Sequence, residues 1–100
     1  MSLNGILQPG TCARCRYVEE TYTNIVVLIT GFKEYQNASF SVYRVFYPSL
    51  TGNRIRCNWV PVNDVVKVCD KLELANFAVR LQKASERDPS FTESLGDFNA

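Results

Sequence analysis

Apolar and polar positions alternate with period two along most of the first seventy residues, then recur with period 3.6. The alternation predicts five strands. The first covers 11–18, with Ala13, Cys15 and Tyr17 on a core face and Cys12, Arg14 and Arg16 on a solvent face. Residues 19–24 read as a polar connection. A β-branched run at 25–32 predicts a strand buried on both faces. After a loop at 33–37, the third strand covers 38–47, with Phe40, Val42 and Phe46 set against an outward Ser41, Tyr43 and Tyr47. Turn residues fill 48–53. The fourth strand covers 54–60, with Ile55, Cys57 and Trp59 inward and Arg54, Arg56 and Asn58 outward. Pro61 ends it, since proline cannot donate to a ladder. One short polar step leads to a fifth strand at 65–68.

From residue 70 the pattern is helical. Leu74, Phe77, Ala78 and Leu81 form one stripe over 70–86, with Leu72 near its start and Val79 off it. Asp70 is placed to cap the helix, and Glu73 stands at capping-box spacing. Lys83 and Arg87 suit the negative end of the helix dipole, and Asp88-Pro89 stops it. The expectation is one domain over 1–86, made of a β unit at 7–69 and a helix at 70–86. A short acidic tail at 87–100, carrying Phe91, Leu95 and Phe98, is expected to be mobile or to dock.

The segment Trp59-Val60-Pro61-Val62-Asn63-Asp64-Val65-Val66 resembles the short helical step before the final strand of the Src-homology-3-like small barrel, and Pro9-Gly10 precedes the first strand as in that family. The resemblance covers residues 7–69 as a pattern. It implies a mostly β fold: a five-stranded Src-homology-3-like barrel followed by one C-terminal α-helix. The family's peptide-binding members grip proline-rich helices with an aromatic groove. Here Asp64 stands where their tyrosine is expected, and Ala38-Ser39-Phe40 replaces their paired tryptophans. Leu7-Gln8-Pro9-Gly10-Thr11-Cys12-Ala13-Arg14 looks like the entry to ribosomal-type barrels, but Tyr22-Thr23-Asn24 replaces the glycine of that motif. Neither subfamily's function carries over.

Chemistry narrows the classes further. The chain has no histidine, which removes the commonest general acid/base and metal ligand. Cys12-Ala13-Arg14-Cys15 has metal-knuckle spacing, yet residues three apart on a strand face opposite ways, and Cys57 and Cys69 are not spaced as a second knuckle. No glycine-rich phosphate loop is present. No enzyme, cofactor or metal is therefore expected. A net charge of +1 gives no bulk attraction to nucleic acid or membrane. The first seven residues lack a basic and a long apolar region, so a cytoplasmic location with reduced thiols is expected.

The functional lead is arginine with aromatics, a pairing that protein interfaces and nucleic-acid interfaces both favour. Alternation places Arg14 and Arg16 on one outward face and Arg54 and Arg56 on another, with Tyr17, Tyr43 and Tyr47 beside them and Arg44 at the rim. The expectation is a non-catalytic interaction module that binds a protein partner through this patch, of the kind found among small accessory proteins of bacteria, phages or mobile elements. The alternative is nucleic-acid binding through the same patch. An open sheet edge, Val79 and the tail aromatics would favour a homodimer.

Overall fold

A computed structural model describes residues 6–35 and 41–89. The chain is mostly β. Five strands form one antiparallel sheet, β1 (Cys12–Glu19), β2 (Tyr22–Lys33), β3 (Val42–Pro48), β4 (Ile55–Pro61) and β5 (Val65–Val68), and one helix, α1 (Lys71–Arg87), follows. The strand order is β4-β3-β2-β1-β5, so the fifth strand returns to lie beside the first. No ladder joins β4 to β5 among the described residues, and the sheet is not a hydrogen-bonded closed barrel. The polar step after Pro61 is a single 3-10 turn, Val62–Asp64. Proline suits the position before it because its φ is fixed near −60° and its missing N–H is not needed there. Gly10, in the turn before β1, has φ +97°, a value that L side chains avoid.

The register shows which side chains share the inner face. Ala13 lies opposite Val27, Cys15 opposite Ile25, Ile29 opposite Val45, and Tyr43 opposite Val60. With Val18, Tyr22, Tyr47 and Val65 they make the core, nearly all with less than a tenth of their surface exposed. This reverses the expected facing of two strands. Tyr43, Val45 and Tyr47 point inward, while Phe46, expected in the core, is on the other side of β3 yet buried at 3% exposed; on β4 Val60 is buried while Cys57 and Trp59 face solvent. In β1 a register shift between Tyr17 and Glu19 turns Val18 in and Tyr17 out. The 19–24 connection is shorter than expected: Glu20 and Thr21 make a tight turn, and β2 starts at Tyr22. The first residues of the expected third strand, Ala38 to Phe40, lie outside the described residues, as does the tail from 90 on.

The helix begins as its sequence requires. The Asp70 carboxylate accepts the Glu73 N–H at 2.8 Å, and the Glu73 carboxylate accepts the Asp70 N–H at 3.2 Å, a reciprocal capping box. Only Phe77 and Ala84 are buried, with Leu81 half-buried. Leu72, Leu74 and Val79 are exposed, so the stripe that holds α1 on the sheet is narrower than the sequence suggests.

Candidate interaction surface

The eight residues singled out from the sequence do not form one patch. Tyr43 and Tyr47 are core residues, each only 1% exposed. Their hydroxyls reach polar partners at the rim: Tyr43 Oη accepts the Leu7 N–H at 2.9 Å, and Tyr47 Oη accepts from the Asn58 amide at 3.5 Å. Burial pushes the Tyr47 hydroxyl above its ordinary pKa. Tyr17 is exposed on β1, away from the other two.

Three of the arginines fasten elements together. Arg14 lies on the face opposite Ala13 and Cys15. Its guanidinium pairs with Glu73 at 2.9 Å and donates to the Asn24 carbonyl at 2.7 Å. It thus ties the first turn of α1 to β1 and to β2. Lys67 of β5 meets the same carboxylate at 3.0 Å. With both cations and the cap on it, the Glu73 carboxyl is held down to about 2, the Arg14 hydrogen bonds being the largest cause. Arg56 pairs with Glu19 at 2.7 Å and lies over the Tyr22 ring, while Asn58 donates to the other Glu19 oxygen at 3.3 Å. These contacts link edge strand β4 to the end of β1. Arg16 donates to the Asn63 carbonyl at 3.1 Å, close to Asp64, and steadies the 3-10 turn. Each of these three arginines is matched by an acid distant in sequence.

Arg44 sits differently. Opposite Trp59 in the β3–β4 ladder, it projects from the outer face, the side opposite the Tyr43 and Val60 core pair. Its guanidinium stacks over Phe46 at 5.9 Å, and Nε donates to Thr30 Oγ1 at 3.3 Å. Trp59 beside it is 49% exposed, with Cys57 and Pro61 exposed above and below on the same strand. The sequence pattern missed this grouping because it assigned Trp59 to the core.

The open edge of β4 is capped in part. The Trp59 N–H donates to its neighbour Asn58 Oδ1 at 3.0 Å, and the Ile55 N–H donates to the Asp88 carboxylate at 2.8 Å. Pro61, next in the alternation, has no N–H. Such side-chain capping disfavours addition of another strand, and it opposes an edge-to-edge dimer through β4.

The cysteines do not converge on a metal. Cys12 and Cys15 are both buried, on opposite faces of β1, and burial pushes the Cys15 thiol up to about 11. Among the described residues no group of three or more Cys, Asp and Glu side chains is placed to hold an ion, and no helix is long and apolar enough to cross a membrane. Comparisons of the chain with protein-family models, with curated proteins and with solved structures find no match.

Proposed function

We propose that this chain is a non-catalytic interaction module of Src-homology-3-like build, and that it binds a protein partner through the outer face of β4 around Trp59, with Arg44 of β3 beside it. The one-turn step between Pro61 and Val65 and the return of β5 to β1 support the small-barrel reading. The observation that carries the function is Trp59, half-exposed beside Arg44, which Thr30 and Phe46 orient. Tryptophan and arginine dominate the energetics of protein interfaces because both combine a large apolar face with a polar tip. A pre-oriented Arg44 has less rotamer freedom to lose on docking. Recognition runs through side chains, because the β4 edge is capped in part. The thiol chemistry supports a non-catalytic role: Cys12 and Cys15 are buried, and burial holds their protons on.

The test is site-specific photo-crosslinking in the source cells from position 57, exposed two residues from Trp59 on the same face of β4, with the same probe at Lys83 on the helix as control. A discrete protein adduct from position 57 alone is expected, and W59A should weaken that complex by at least tenfold. The same adducts from both positions, or undiminished binding by W59A, would refute the surface. A nucleic-acid partner would instead show log affinity falling linearly and steeply with log salt.

A further inference from the structure

Arg54 and Arg87 differ from the arginines that fasten the sheet. Among the described residues neither forms an ion pair or a side-chain hydrogen bond, and both are exposed. They line one open cleft of about 460 Å³ with Asn53, Asp88 and Pro89. Each comes from a different element. Arg54 leads into β4, and Arg87 is the last residue of α1.

The framework that holds them is hydrogen-bonded on both sides of the cleft. The β3–β4 loop is tied by Ser49 N–H to the Arg54 carbonyl at 2.8 Å, by Gly52 N–H to the Ser49 carbonyl at 2.9 Å, and by Arg54 N–H to Ser49 Oγ at 3.2 Å. Gly52 has φ +74°, and a side chain there would begin 3.8 Å from Arg87 Nη1. Asp88 anchors the other wall by accepting the Ile55 N–H, and it is 4% exposed. Its carboxylate is thus engaged with the backbone of β4 at the cleft wall.

We propose that this cleft is an oxyanion-binding site for a phosphate group. Two guanidiniums offer only donors, in planar forks that match the oxygens of a phosphate, and the Asn53 amide adds a neutral donor. Two positive side chains face one negative, so the lining attracts an anion. Arg87 also complements the negative end of the helix dipole, but that role calls for no second arginine across a cleft. The site is separate from the Trp59 surface and does not depend on it.

The experiment is a nitrogen-15 NMR titration of the full chain with inorganic phosphate at constant ionic strength, with chloride as the matched control. Saturable shifts are expected at the amides of Gly52, Asn53, Arg54, Arg87 and Asp88, with Trp59 unmoved. R54Q and R87Q should each weaken binding about tenfold or more, and K83Q should not. Because both arginines are exposed, either variant serves if the other fails to fold. A phosphoserine peptide then separates the sources: binding about tenfold tighter than inorganic phosphate identifies a phosphorylated macromolecule, and equal binding identifies free phosphate. Non-saturating shifts, shifts reproduced by chloride, or undiminished binding in R54Q and R87Q would overturn the site.

Discussion

Replacing Phe77 with alanine should detach α1 from the sheet before the sheet itself unfolds. Phe77 is 3% exposed and belongs to the core cluster, while Ala84 is the only other buried residue of the helix. A buried aromatic side chain removes at least ~150 Å² from water, which at ~25 cal/mol per Å² is about 4 kcal/mol. A denatured chain that already covers part of its apolar surface lowers this to about 3 kcal/mol, near the bottom of the range of about 3–5 kcal/mol found for such truncations. Apolar packing adds little else, and the polar ties lie only at the two ends of the helix, Glu73 to Arg14 and Lys67 and Asp88 to the Ile55 N–H. Leu81 is half-buried, and Leu72, Leu74 and Val79 face solvent. The capping box contributes about 1 kcal/mol, and a 17-residue helix is marginal alone.

Urea unfolding read two ways tests this. Trp59, the single tryptophan, reports β4, and circular dichroism at the helical minimum reports α1. The two transitions should coincide in the wild type and separate in F77A, with the helix lost first. Hydrogen exchange should speed up across 74–87 while β2 and β3 keep their protection. A loss below about 1 kcal/mol with unchanged helix protection would show that Phe77 is not the anchor, and the docking argument would fail.

The remaining predictions follow from the polar ties. The Glu73 carboxyl has a folded value of about 2 against an ordinary 4.5, so its contribution is fully present above pH ~4.5 and is lost as pH falls through ~2; an acid melt of E73Q should lack that loss. D88A leaves the Ile55 N–H without its acceptor and should cost about 1–3 kcal/mol in urea, whereas D88N, which keeps an oxygen, should cost less. Just beyond the Ala13–Val68 pair of the β1–β5 ladder, the Cys69 N–H donates to the Cys12 carbonyl at 3.1 Å. Diamide, which takes up both thiol hydrogens, should join them and raise stability by up to about 4 kcal/mol on loop entropy. Peptide mapping that found only intermolecular Cys57 bridges would refute that pairing.

What could be read from the sequence was local, and what could not was decided at a distance. The bounds of β5, the 3-10 step and the capping box each rest on residues within a few positions of one another, so Pro61, Asp70 and Glu73 announced them. The facing of β3 and β4 rests on competition between two apolar faces. Val42 and Phe46 on one side of β3 are hardly more hydrophobic than Tyr43, Val45 and Tyr47 on the other. The decision falls to the tyrosines because their hydroxyls reach Leu7 and Asn58 at the rim, which lets the rings be buried without stranding a polar atom. On β4 the same logic inverts a clean alternation. Arg56 and Asn58 take the inward side because Glu19, thirty-seven residues before Arg56, meets both of them there, and Trp59 is thereby left facing outward. The arginine patch dissolved for a related reason. Arginines on alternate positions look alike in sequence, but Arg14, Arg16 and Arg56 each meet an acid from a distant element. Among the described residues Arg54 and Arg87 meet no such acid, and that difference is why the proposed anion site is placed on them and the fastening arginines are ranked as structural, however basic their stretch of sequence looks.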